Sequence, residues 1–321
     1  NVTLKGNFGL KVHTGEIGGK YFLHPEFLQE IYDYTKGNFI ECNTAYQGNR
    51  HSTQLHKDLL VAHGWVNDSR KTIIMDEVPE NDWNISIPNH KMIPENIVGE
   101  HLKEFDSCVV LAHFKGHRMG GFGGALKKLS IGFASQAGKT FIHTAGVETN
   151  WTQMFENFAN QENFTSAMGD AASSIVNYFK EKGEIAFINV MVNISTACDC
   201  GAGAPEPRIH DMGILASKDP VAIDRACIDL IRENIDDGTE EWLTQLQNLL
   251  GENTIKVSEE LYIGTQEYNL INVDQEGGGE GETSSYVWLY IALSIVGILI
   301  IGVVCFLIFR FVKRSDAQKD S

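Results

Sequence analysis

The densest chemistry in the sequence is one stretch of 18 residues, LAHFKGHRMGGFGGALKK, running from Leu111 to Lys128. Imidazoles move protons near neutrality and bind transition metals. Lys115, Arg118, Lys127 and Lys128 supply positive charge, and Gly121, Gly123 and Gly124 let backbone amides approach a ligand closely. The stretch follows the apolar run Ser107–His113, which reads as a strand, so it falls where open α/β sheets hold ligands. A glycine-rich connection between strand and helix is the plain alternative. The concentration of two histidines with several cations favours a site, with Lys115, Gly121, Gly123, Gly124 and Lys127 as the residues that hold a cofactor or small anionic ligand. It is not a phosphate loop, because no Gly-Lys-Ser/Thr closes it. Nor is it a dinucleotide fingerprint, because Gly121-x-Gly123 lacks the third glycine at the required offset.

A second segment, CDCGAGAP at 198–205, follows the apolar run Ile185–Val192. Two thiols flanking a carboxylate suit a transition metal such as Ni, Fe or Zn, yet Cys198 and Cys200 fill only half of a tetrahedral shell. His210 and Asp211 are candidates for further ligands, and inert thiols are the even alternative. His13 and Glu16 in KVHTGE, and Glu41, Cys42 and Asn43 in ECNTAY, close two more apolar runs. If the strands are parallel these ends converge, which gathers His13, Cys42, His113, His117 and Cys198 around one pocket. His51, His56 and His63 lie nearby in sequence. Of these, His56 and His63 share a helical face and read as packed or solvated side chains rather than ligands.

The elements that must position these groups alternate. Phe8–His13, Phe39–Cys42, Thr72–Met75, Ser107–His113, Ile185–Val192 and Met212–Ser217 read as short strands. Pro25–Thr35, Ser52–His63, Ser166–Lys180 and Pro220–Asn234 carry helical spacing, the last opened by an Asp219 cap and a proline at its first position. Strand–helix alternation predicts an α/β domain over residues 1–275, with a largely parallel sheet and flanking helices. Residues 276–285 form an acidic Gly/Glu linker.

Tyr286–Phe309 is 24 residues without a charge, enough for a transmembrane helix, with Tyr286, Trp288 and Tyr290 as an aromatic anchor. Arg310, Lys313 and Arg314 follow it, whereas the preceding linker is acidic. The expected arrangement is therefore a single-pass membrane protein with residues 310–321 as a cytoplasmic tail and the domain extracellular or lumenal. A chain opening at Asn1 without an apolar leader fits a processed terminus. Six Asn-x-Ser/Thr sequons, at Asn1, Asn67, Asn84, Asn150, Asn163 and Asn193, point to a glycoprotein. A net charge of −16 argues against nucleic acid as a partner. Six cysteines, with Cys305 inside the apolar run, make a poor disulfide framework.

HFKGHRMGGFGGALKKLSIGFAS (113–135) and CDCGAGAPEPRIHDMGILASKDPVAIDRACIDLI (198–231), with KVHTGE and ECNTAY, resemble the family labelled domain of unknown function 362 over most of residues 8–273. Similar proteins are associated with iron–sulfur modules, but this chain has no C-x₂-C-x₂-C run. A more distant likeness is to the lactate racemase family, which carries a nickel pincer nucleotide. Its His, Lys and second His are spaced by ten and sixteen residues, as are His117, Lys127 and His143 here. What that resemblance implies is Lys127 holding a cofactor, His143 as a metal ligand and His117 as a proton-transferring residue. Two readings follow. One is a membrane-anchored metal- or cofactor-dependent enzyme with redox or isomerase chemistry on a small anionic metabolite. The other is a non-catalytic surface or lumenal protein that kept the fold and lost the cofactor. Either is compatible with an oligomer.

Overall fold

The computed structural model describes residues 6–196, 203–204 and 206–274. The six apolar runs become one sheet: β1 (Phe8–Lys11), β2 (Asn38–Glu41), β3 (Thr72–Ile74), β6 (Ser107–His113), β9 (Ile185–Met191) and β10 (Gly213–Ser217). Their spatial order is β10-β9-β6-β1-β2-β3. The strands β9, β6, β1, β2 and β3 are parallel, with Leu10 facing Phe39 on one side and Val109 on the other. Only β10 is antiparallel, at one edge.

Both faces are covered, which explains why the strands are apolar throughout rather than alternating. On β6, Val109 and Leu111 join a cluster with Phe39, Leu60 and Trp65, under α1 (Gln29–Thr35) and α2 (Thr53–Ala62). Cys108 and Val110 point the other way, into a cluster with Phe133 and Phe179. That face carries α3 (Ala125–Lys127) running into a π-helical turn (Lys128–Gly132), and α5 (Gln161–Lys182) and α6 (Pro220–Glu233).

Helix starts follow from capping chemistry. Asp219 accepts hydrogen bonds from the Val221 and Ala222 amides, with Pro220 at the first position, as the sequence predicts. The long helix starts at Gln161 rather than at Ser166, because the Asn160 side chain caps it by accepting from the Asn163 amide at 2.9 Å. Likewise α1 begins at Gln29, since residues 25–28 form turns after Pro25.

Several elements escape the apolar pattern. β4 (Trp83–Ser86) pairs with β5 (Glu95–Val98) as a hairpin, and β7 (Lys115–His117) pairs with β8 (Gly121–Gly123) as another. Helices α4 (Gln136–His143), α7 (Thr239–Asn248) and α8 (Gly251–Glu260) complete the set among the described residues. Among the described residues no helix is long and apolar enough to cross a membrane. The apolar run 286–309, the linker and the basic tail lie outside the described residues.

Candidate functional site

Following the chain, the sheet grows from β1 through β2 to β3, then resumes on the other side of β1 with β6 and β9. The strand order therefore reverses between β1 and β6, and the crevice beyond their C-terminal ends is where such sheets take ligands. A cavity of about 280 Å³ lies there. His13 follows β1, Glu41 ends β2 with Cys42 just after it, and His113 ends β6; all four line the cavity. The gathering expected from parallel strands is thus present, while Cys198 and Cys200 lie outside the described residues.

The residues 111–128 are not an open loop. The chain folds back as the β7–β8 hairpin and enters α3, so Lys115, His117, Arg118, Gly123, Gly124 and Lys127 all reach the cavity. Gly121 does not line it. Gly121 sits at φ +79° against the start of α8, where an added Cβ would come within 2.9 Å of the Gly251 Cα, so its glycine serves packing. Gly124 has a different reason: a Cβ there would meet the Asp224 carboxylate at 2.4 Å. Buried Asp224 accepts from the amides of Ala125 and Leu126, each at 2.8 Å, and from the Asn189 side-chain amide at 2.7 Å. A carboxylate on α6 thereby anchors the start of the helix that carries Lys127.

Six cations and one carboxylate line the cavity: Arg50, Lys115, Arg118, Lys127, Lys128 and Lys139, with Glu41. This positive lining sits in a chain whose net charge is −16. Glu41 is tied to buried Lys11 at 2.5 Å. Burial alone would raise the Glu41 carboxyl, but Lys11, Arg50 and Lys128 outweigh it and hold its pKa at about 2. Arg50 is buried and pairs with Glu16 at 2.8 Å, which is how Glu16 reaches the site.

The same cations decide the imidazoles. His117 is driven well below the usual histidine pKa by burial and then by Lys127 and Lys115. His13 is lowered by burial, Arg50 and the three lysines 128, 115 and 127. For His143, burial lowers the pKa to about 4 despite a hydrogen bond to the Lys139 carbonyl. All three are neutral near pH 7, so each carries one proton whose position its partners dictate.

Those partners differ. Nδ1 of His117 faces two donors, the amides of Met119 at 3.2 Å and Gly120 at 3.1 Å, so it is the acceptor and the proton sits on Nε2. Nδ1 of His143 lies 2.6 Å from the Lys139 carbonyl, so it donates and leaves the lone pair on Nε2. Nε2 of His113 donates to the Val192 carbonyl at 2.6 Å, leaving the lone pair on Nδ1. In His13, Nδ1 accepts from the Gly15 amide at 3.0 Å. One wall of the cavity therefore offers a fixed N–H and another a fixed lone pair.

The remaining expected residues fall elsewhere. Asn43 bonds Asp76 and Thr53 behind the cavity, and fully buried His56 is held between Asn43 and Thr14. His63 stacks on Phe22, and His51 donates from Nδ1 to the Gly48 carbonyl of its own turn. His210 pairs with Asp236 at 2.5 Å and Asp211 accepts from the Asn193 amide, so neither joins the cavity residues. Burial pushes the Cys42 thiol far up, which makes it an inert wall atom. Among the described residues no three His, Cys, Asp or Glu side chains form a metal-binding group. Arg50 and Lys139 were not predicted from sequence. Lys139 lies four residues before His143, one helical turn away on the same face, and that spacing was the available signal. Arg50 sits in irregular chain and carries no such signal.

The family model described as Domain of unknown function (DUF362) matches residues 8–229. No curated protein sequence matches the chain. Among solved structures, the lactate racemase apoprotein from Thermoanaerobacterium thermosaccharolyticum aligns with a TM-score of 0.45 and 14% identity, over 72% of this chain and 50% of that one. A crystal structure of a Thermotoga maritima protein aligns with a TM-score of 0.37 and 13% identity, over 80% of this chain and 55% of that one. The chain thus spans about half the length of the solved structures it matches.

Proposed function

We propose, for this chain that belongs to the Domain of unknown function (DUF362) family, that it binds a small organic anion at the β1/β6 switch point and acts on it by proton transfer. The observation that carries the reading is the pairing of a cationic lining with two neutral imidazoles of opposite polarity in one cavity. Lysines 115 and 127 draw the anion in. His117, locked as an Nε2–H donor, hydrogen-bonds an oxygen of the ligand and does not act as a base, since protonating Nδ1 would set it against two amide N–H groups. A neutral imidazole used as a donor in this way polarises a carbonyl without adding charge. The accepting role falls to Nε2 of His143, whose orientation is held by the Lys139 carbonyl.

The same geometry fits His143 as one ligand of a transition metal such as Ni, Fe or Zn. Metal-bound histidines commonly donate their other ring N–H to a backbone carbonyl, as His143 does. A metal at that position would supply Lewis-acid polarisation. Cys198 and Cys200 remain proposed ligands, and Lys127 a proposed point of cofactor attachment. The domain is proposed to stand on a membrane through residues 286–309, outside the cell or in a lumen.

The test is a panel of small carboxylates and phosphates read by thermal shift and by NMR for conversion. At least one member is expected to raise Tm, and Lys127→Gln and Lys115→Gln are each expected to weaken that binding by about tenfold or more, the loss of a charge-assisted contact. Binding that ignores both substitutions would overturn the reading. Binding without conversion by metal-replete protein would leave a carrier or sensor of the same ligand.

A further inference from the structure

The charge of the cavity is unevenly distributed along the chain. Five of its six cations come from residues 115–139, on the side of the sheet that carries α3 and α4, and the sixth, Arg50, is paired with Glu16. The lining also includes Phe22, Leu23, Leu28, Trp65 and Leu111. These five belong to the apolar cluster on the opposite face, under α1 and α2. Trp65 is fully buried with its indole N–H satisfied by the Thr14 carbonyl, so it presents only ring surface to a ligand. The cavity therefore wraps over the C-terminal edge of the sheet, from a cationic end to an apolar end. The cavity, about 280 Å³, extends over both of these regions.

We infer that the ligand is amphipathic: an organic anion whose head lies among Lys115, Lys127 and His143 and whose aliphatic or aromatic part lies against Phe22, Leu23, Trp65 and Leu111. This rests on reading the cavity as an anion site and adds the substrate class. A wholly polar anion would leave the apolar end to water that finds few partners there, whereas a hydrocarbon group of about four to six carbons buries its surface against preformed walls.

The experiment is a ligand-observed NMR titration of acetate, propionate, butyrate, valerate and hexanoate against the full chain in lipid nanodiscs. Kd is expected to fall roughly fourfold for each added methylene. Leu23→Phe, which fills the apolar end, is expected to abolish that gain, and this separates the cavity from partition into lipid. Lys127→Gln is expected to weaken every member by a similar factor. A flat series that still responds to Lys127→Gln overturns the amphipathic ligand and leaves the anion site standing. A chain-length gain that survives in a folded Leu23→Phe protein also overturns the inference. If no member binds, or if binding ignores Lys127→Gln, the anion site falls as well. Should Leu23→Phe not fold, the same series titrated against empty nanodiscs supplies the partition control, and a chain-length gain no larger than theirs overturns the inference.

Discussion

At the scale of single residues, the site is governed by who hydrogen-bonds each imidazole. His117 and His143 are chemically identical side chains given opposite roles, one by backbone amides and the other by a backbone carbonyl. ¹⁵N NMR is expected to find His117 protonated on Nε2 and His143 on Nδ1 at pH 7; the reverse assignment for His117 would make it a base. His117→Ala is expected to weaken anion binding by roughly tenfold to a hundredfold, the scale of a hydrogen bond to a charged group. His143 also carries a pH signature. Its folded pKa of about 4 lies below the ordinary 6.5, so below pH 6.5 the unfolded chain takes a proton that the folded imidazole refuses. Stability attributable to this group is whole above 6.5 and is lost as pH falls towards 4, on the order of 2–3 kcal/mol. His143→Asn is expected to flatten the fall of Tm over that window.

At the scale of elements, the weak point is the three-residue α3, too short to hold its own shape. Asp224, on α6, does this from outside by accepting from the first two amides of α3 and from Asn189. Asp224→Ala removes three partners at once in a buried place. It is expected to cost about 3 kcal/mol in urea unfolding and to weaken ligand binding along with it, because Lys127 loses its mount. Gly124→Ala presses a methyl group onto the same carboxylate and is expected to act in the same direction. The helices that start at Asn160 and Asp219 need no such help, since each carries its own cap.

At the scale of the whole molecule, a chain of net charge −16 concentrates six cations around one crevice, so anions are favoured there. The proposed tether at 286–309 predicts that the full chain stays with membranes through a carbonate wash and that deleting the run releases it. Asn67, Asn84, Asn150 and Asn193 are exposed in the fold, whereas Asn163 is half-buried in the first turn of α5. In a lumenal or extracellular domain, endoglycosidase treatment is expected to shift the mass through those four sites. Replacing them with Gln should remove the part of the shift that they carry, leaving only that of the Asn1 sequon, and a domain carrying no glycan would speak against that placement.

All six strands of the sheet were legible in the sequence: the five parallel ones are covered by helices and read as short, mostly apolar runs, and the antiparallel edge strand β10 is itself largely apolar. The start of α6 was legible because its cap is local, and so was the convergence of His13, Cys42 and His113, since all three follow strands that had to run the same way. The hairpins β4–β5 and β7–β8 were not, being short and weakly patterned. Nor were Arg50 and the Asp224 anchor, whose partners lie far off in sequence: Asp224 is 99 positions from Ala125. Local pattern sets which segments are strands and helices, through propensity and burial that act within a few residues. Which nitrogen of an imidazole bears the proton, and which charges face it, depends on neighbours brought together by packing, and only the tertiary structure supplies them.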